Sequence, residues 1–340
     1  MERNRFILKL EEVGITDIET VGGKNASLGE MLQRLTSLGI RIPGGFVITV
    51  DAYRTFIEEN DLAGKIKEII TKAREDNGDE LSGCGEEIRK LILDGEMPPD
   101  MVQEIAEAYR LLSTEYKTRD IDVAVRSSAT AGDLPDASFA GQQETYLNVS
   151  GVSELILSVK KCFASLFTNR AISYRESFQY DHFEIGLSVC VQRMVRSDKG
   201  ASGVAFSLDT ESGFQDVVLI NGAYGLGELV VQGAICPDEF IVFKPTLKEN
   251  YKALIEKKLG VKDKKMVYSQ VPGERVSIVE TSAAEQDRFC LNDELILELS
   301  RWVTIIEDYY SNLKGHWCPM DVEWAVDGFS NELFIVQARP

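Results

Sequence analysis

The chain has 340 residues, 44% hydrophobic and 27% charged, an ordinary globular composition with apolar material for one large or two ordinary domains. Its 37 basic residues face 55 acidic ones, and a net charge of −18 excludes a broad nucleic-acid or anionic-membrane surface, leaving a few placed cations for any nucleotide. Six scattered cysteines without a CxxC, no secretory leader and no apolar run of membrane-spanning length predict a cytoplasmic protein in a reducing setting.

In chain order, a short strand is expected over Arg5–Leu10. Gly22-Gly23-Lys24-Asn25 then opens a helix reaching Leu38, and Ile42–Thr49 turns into a strand before a helix starting near Asp51. Residues 61–117 are acidic and helical in pattern and form an accessory insert. Strand Ile121–Val125 delivers Arg126 to a small-residue loop, Ser127-Ser128-Ala129-Thr130 onward to Gly141-Gln142. Leu155, Ile156, Val159, Cys162, Phe163 and Leu166 recur at three- and four-residue spacing, predicting one helix over 152–178. Four strands follow, Ser188–Val195, Ala201–Leu208, Gln215–Asn221 and Glu239–Lys244. The lysines from Lys257-Lys258 to Lys264-Lys265 read as a solvated face. A helix over Asp293–Tyr310 leads to a final hairpin. The irregular alternation of helices with hairpin-like strand pairs predicts an α+β fold rather than a parallel doubly wound sheet.

That hairpin carries the densest pattern. Val322, Trp324 and Val326 alternate with Asp321 and Glu323, and after the turn Asp327–Asn331 the residues Phe334, Val336 and Ala338 alternate with Gln337 and Arg339. One face would carry two carboxylates, an amide and a guanidinium. Such a set suits Mg²⁺ bridging phosphates, and it equally suits an edge hairpin with a solvated polar face. Lys24 follows two glycines at a helix start, where an anion is favoured, although a surface lysine has the same pattern. This is not a Walker loop, because Ile18 replaces its first glycine and Asn25 its Mg²⁺-binding hydroxyl. The Arg126–Gln142 stretch is either a phosphate cradle of successive N–H groups or a surface loop. Val189–Val195 is either a core strand or a hinge presenting its backbone to adenine. Gly225-Leu226-Gly227 lacks the third glycine of a dinucleotide fingerprint. His182 and His316 have no nucleophile or kinase-loop context and read as structural or exposed.

Taken together, five blocks resemble the nucleotide-binding domain of the phosphoenolpyruvate synthase and pyruvate phosphate dikinase family, an ATP-grasp fold. They are Val21–Glu30, Ile42–Phe46, Val125–Thr130 with Asp133–Thr145, Gly225–Glu228 with Pro237–Phe240, and Met320–Trp324 with Gln337–Pro340. The fourth block is closest to the phosphoenolpyruvate synthase (pyruvate, water dikinase) branch. The resemblance implies two lobes, 1–185 and 186–340, clasping Mg-ATP. It implies that Lys24 and Arg126 touch the triphosphate, with Arg54 a further phosphate contact, and that Ser128, Thr130 and Gly141 belong to the nucleotide loop. Gln192, Arg193 and Met194 would hold adenine, Asp321 and Glu323 would carry Mg²⁺, and Gln337 and Arg339 would steer the phosphoryl groups. Gly132 departs from the acidic residue expected there.

The same family passes phosphate through a histidine on a mobile domain and on to pyruvate, splitting ATP to AMP and Pi. Neither histidine here lies in such a segment, so phosphohistidine and pyruvate-binding domains are expected elsewhere, on a longer chain or a separate subunit. Two other functions fit the same text: the ATP-binding domain of a rifampin phosphotransferase-like enzyme, and a non-catalytic nucleotide-sensing module.

Overall fold

Two antiparallel sheets organise the chain. The computed structural model describes residues 6–77, 83–130, 144–177, 180–249, 251 and 253–340. Two compact units emerge, one of residues 1–30 with 44–194 and one of 31–43 with 195–340.

The strands of the first unit are β1 (Ile7–Lys9), β2 (Gly45–Ile48), β3 (Val123–Ala129), β4 (Thr145–Val149) and β5 (Leu187–Arg193), in the spatial order β1-β2-β5-β3-β4. β5 is therefore the middle strand of the first sheet, hydrogen-bonded to β2 on one side and β3 on the other. That contradicts its expected place beyond a 185/186 boundary, and the first unit runs on to Met194. Both ladders of β5 are satisfied by strands that precede it in sequence, which holds it in this unit.

Helices α1 (Ile18–Leu35), α2 (Val50–Glu59), α3 (Leu62–Asn77), α4 (Cys84–Asp94), α5 (Pro99–Glu115), α6 (Val152–Ser165) and α7 (Asn169–Ser177) complete this unit. The expected insert is the three helices α3 to α5. Its apolar faces, with Ile66, Ile88, Ile105 and Tyr109 buried, join one core with Phe56, Phe163 and the inner residues of β3 and β5. The single helix expected over 152–178 is two helices. Thr168 starts the second, its hydroxyl accepting from Ala171 N at 3.2 Å and its carbonyl from Ile172 N at 2.9 Å, so the first ends just before it.

In the second unit β6 (Ala201–Phe206), β7 (Val217–Tyr224), β8 (Asp238–Phe243) and β9 (Leu254–Lys258) extend one sheet. β10 (Lys264–Tyr268) and β11 (Val276–Glu280) form a separate pair. β12 (Asp321–Val326) and β13 (Leu333–Arg339) close the larger sheet in the order β13-β12-β6-β7-β8-β9. Short helices α8 (Glu228–Val231), α9 (Lys244–Lys248) and α10 (Ala283–Gln286) precede α11 (Asp293–Lys314), which buries Ile296, Leu299, Val303, Ile306 and Tyr310. Asn292 caps α11 by accepting from Leu295 N at 2.9 Å, and Gly315 ends it at φ +70°.

The lysine-rich stretch is only partly a solvated face. Lys262 is fully buried and donates to Asp238 Oδ1 at 2.5 Å and Gly260 O at 2.9 Å, so its charge is paired and hydrogen-bonded inside the unit. Among the described residues no helix is long and apolar enough to cross a membrane.

Candidate functional site

The β12–β13 register sets the arrangement of the polar hairpin residues. Asp321 stands opposite Arg339, Val322 opposite Ala338 and Glu323 opposite Gln337, so the four polar side chains share one face. Arg339 donates to Asp321 Oδ2 from Nε at 2.9 Å and Nη2 at 2.8 Å. Among the described residues the Glu323 side chain has no hydrogen-bond or ion-pair partner. Gln337 is buried, its amide 3.4 Å from the Ala338 carbonyl.

Past Glu323 the register slips by one residue, so that Trp324 faces Ile335 and Ala325 faces Phe334. The extra residue, Val336, is a β-bulge. Strict alternation put Phe334 and Ala338 on one face, and the bulge corrects this. Ala338 and Ile335 join the Val322/Trp324 side, and Phe334 joins Ala325 on the face of Glu323. There Val195, Ala325 and Phe334 form a small buried apolar cluster with Val336 packed against it. The hairpin face thus runs from a polar end to an apolar one.

Among the described residues no three His, Cys, Asp or Glu side chains converge on a metal position. Asp321 and Glu323 fit Mg²⁺ as a two-carboxylate site, because this cation commonly takes one or two carboxylates and fills its octahedron with phosphate oxygens and water.

In the first unit Gly22 breaks α1 with φ +74° and ψ 160°, so the helix carrying Lys24 starts anew after it. A Cβ on Gly22 would lie 2.4 Å from Ser128 Oγ and 2.7 Å from Ser128 O, so only glycine permits this contact between helix start and strand end. Arg126 and Ser128 share one face of β3, paired with Cys190 and Ser188 of β5. Burial pushes the Cys190 thiol up to about 12, with the Arg126 guanidinium acting against that shift. The buried Ser128 hydroxyl has no hydrogen-bond partner among the described residues, an orphan whose desolvation is uncompensated. Lys24 is half-buried. Thr130 is committed to structure: its Oγ1 accepts from Gly186 N at 3.1 Å and its backbone N donates to Gly186 O at 3.0 Å. Arg54 is exposed on α2, 3.9 Å from Asp51. Gly132 and Gly141 lie outside the described residues.

The expected adenine hinge ends β5. Gln192 is buried opposite Gly45, Met194 N donates to Asp122 O at 2.9 Å, and Arg193 N donates to Gly44 O at 2.9 Å. The Arg193 guanidinium stacks over the Tyr116 ring at 4.6 Å rather than reaching outward.

A family model described as pyruvate phosphate dikinase, AMP/ATP-binding domain, matches residues 18–340. The chain belongs to this family. Among its relatives are the phosphoenolpyruvate synthases of Aquifex aeolicus, 58% identical over 335 residues, and of Synechocystis, 54% identical over 339. Each alignment covers 98% of this chain, but 39% and 41% of the relatives themselves. The phosphoenolpyruvate synthase of Escherichia coli is 47% identical over 337 residues, covering 98% of this chain and 42% of its own length. The chain thus spans about two fifths of these relatives.

Within this AMP/ATP-binding family fold, sequence reasoning passed over three features. In sequence Asn25 looks like no more than a missing Mg²⁺ ligand, and nothing local marks Ser188 or Tyr116. Each acts through a partner distant in sequence, which no local spacing reveals. The apolar cluster at Phe334 was hidden by the bulge. A cavity of about 520 Å³ in the second unit, between Lys199, Lys265, Tyr224, Leu295 and Val326, includes none of the candidate residues.

Proposed function

We propose that the chain is an ATP-grasp domain that binds Mg-ATP for a phosphoenolpyruvate synthase-type dikinase. The observation that carries this reading is the β12–β13 register, which puts Asp321, Glu323, Gln337 and Arg339 on one face. Its support is the family match over residues 18–340 and the printed names of the relatives.

On this reading Lys24 and Arg126 contact the phosphates, with Ser128 buried behind them against Gly22. Gln192–Met194 meet the adenine through groups other than the Arg193 and Met194 N–H, which Gly44 and Asp122 already hold. In the second unit Asp321 and Glu323 hold Mg²⁺ and Arg339 orients the phosphoryl group leaving ATP. Mg²⁺, when bound, neutralises phosphate charge and aligns the oxygens for in-line transfer. Arg339 already points at Asp321, so a cation taking that carboxylate frees its guanidinium for phosphate, which a planar two-donor fork suits. The whole enzyme would split ATP to AMP and Pi, passing the β-phosphate by way of a histidine on another domain to pyruvate.

Calorimetric titration of the chain with ATP, with and without Mg²⁺ and with GTP as control, tests the assignment. Adenine-selective binding strengthened by Mg²⁺ is expected. Equal affinity for ATP and GTP, or indifference to Mg²⁺, would remove the hinge or the hairpin from the site.

A further inference from the structure

Asn25 stands next to Lys24 with its side chain buried in the first unit. Its side chain is 1% exposed, and Nδ2 donates to Ser188 Oγ at 2.9 Å, across 163 positions of sequence. Ser188 is itself fully buried in β5, and its hydroxyl reaches two carbonyls, that of Val21 at close range and that of Ser128 at 3.2 Å. One hydroxyl therefore touches three other segments: the turn before the Lys24 helix, the first turn of that helix, and the end of β3. Gly22 presses its Cα against Ser128 at the same point, where no side chain fits.

We propose that Asn25 and Ser188 form a latch that positions Lys24 against Arg126 and Ser128, tuning this corner of the first unit to a triphosphate. The proposal rests on the nucleotide reading above and deepens it by assigning two positioning residues to its phosphate end. The latch works because β3 presents Arg126 and Ser128 on one face two residues apart, while Ser188 pairs with Ser128 in register. Any movement of the Asn25 turn relative to β5 therefore moves Lys24 relative to Arg126. Phosphate recognition is sensitive to such displacement, because charge-assisted hydrogen bonds hold only within a few tenths of an ångström. Adenine recognition uses other residues and should not feel it. Losing Ser188 would leave the buried Asn25 amide without the acceptor it has here, at the cost of an unsatisfied buried donor.

The test compares ATP with adenosine, both in Mg²⁺, on the wild-type chain and on Asn25→Ala, Ser188→Ala and the double variant, with melting followed in parallel. Ser188→Ala removes one oxygen from a strand and keeps the experiment decisive should Asn25→Ala not fold. The latch predicts an ATP Kd at least tenfold weaker in each single variant, adenosine affinity within twofold of wild type, and a double variant no more than twofold worse than either single one. Equal loss for ATP and adenosine would show a general loosening and overturn the proposal, as would ATP affinity unchanged within twofold. A wild-type chain that binds adenosine and ATP equally well overturns the latch while leaving the hinge standing. A wild type that binds neither overturns both the latch and the nucleotide reading.

Discussion

Arg339 holds Asp321 across the β12–β13 ladder, whereas the neighbouring Glu323 faces Gln337 with no ionic partner among the described residues. The pair is half exposed, so its own contribution to stability is small, about 0–1 kcal/mol. Arg339→Ala is therefore expected to leave the denaturant midpoint almost unchanged. Glu323→Gln keeps the shape of the side chain and removes one of two metal charges. In calorimetry it should abolish the Mg²⁺-dependent gain in ATP affinity and leave metal-free binding near wild type. A variant that retains the full Mg²⁺ effect would sink the hairpin as metal site.

Arg193 and Tyr116 tie the end of β5 to the end of the helical insert. Tyr116 Oη also accepts from Gly44 N at 3.3 Å, beside the strand that pairs with β5. Tyr116→Phe keeps the stacked ring and loses that bond, at a cost of about 1 kcal/mol. Tyr116→Ala loses the cation–π contact as well, a further 0.5–2 kcal/mol by order of magnitude. Urea unfolding would rank wild type above the Phe variant and the Phe variant above Ala. If Phe and Ala unfold together, the stacking carries no weight.

His182 couples stability to pH. Its Nδ1 accepts from Arg175 Nε at 3.0 Å, and Nε2 lies 2.7 Å from Glu176 Oε1, so the neutral ring carries its proton on Nε2. Burial lowers its pKa from 6.5 to about 4. Arg175, Arg74 and Lys67 push the same way and Asp181 opposes them. A native pKa below the unfolded value means that the unfolded chain takes up the proton first. This contribution is present in full above about pH 6.5 and is lost as pH falls towards 4, by up to about 3 kcal/mol. His182→Gln should flatten that part of the stability profile relative to wild type in denaturant titrations at pH 7, 6, 5 and 4. An identical slope in both proteins would refute the assignment.

Asp238 and Lys262 form a fully buried pair in the second unit. Asp238 also accepts from Gly260 N at 2.9 Å and Cys290 N at 2.7 Å. Lys262→Met would strand a buried carboxylate and should cost about 3–5 kcal/mol. Asp238→Asn with Lys262→Met should recover part of that loss, because no unpaired charge remains. Thermal melts of the single and double variants give the comparison, and a double variant worse than Lys262→Met contradicts it.

Local pattern determined a good deal by itself. The alternation Asp321-Val322-Glu323-Trp324 settles which side of β12 is polar, because strand side chains change face at every residue and this strand has no irregularity of its own. The glycine pair before Lys24 likewise marks a helix start, since Gly22 takes a φ that other residues avoid. The α+β character followed from hairpin-like strand pairs, and both main sheets are antiparallel.

What only the tertiary structure decided lies where partners are remote. The bulge at Val336 depends on how β13 meets β12, and it moves Phe334 to the opposite face from Ala338. Lys262 reads as one more surface lysine until Asp238, 24 positions earlier, supplies the opposite charge. β5 became the middle of the first sheet because β2 and β3 offered it two open ladders. The buried Asn25 amide finds its acceptor on Ser188, 163 positions away in the chain. Periodicity and turn chemistry are properties of neighbouring residues, so a sequence displays them openly. Charge pairing, register slips and buried polar contacts depend on which distant segments folding brings together, and no local spacing encodes them.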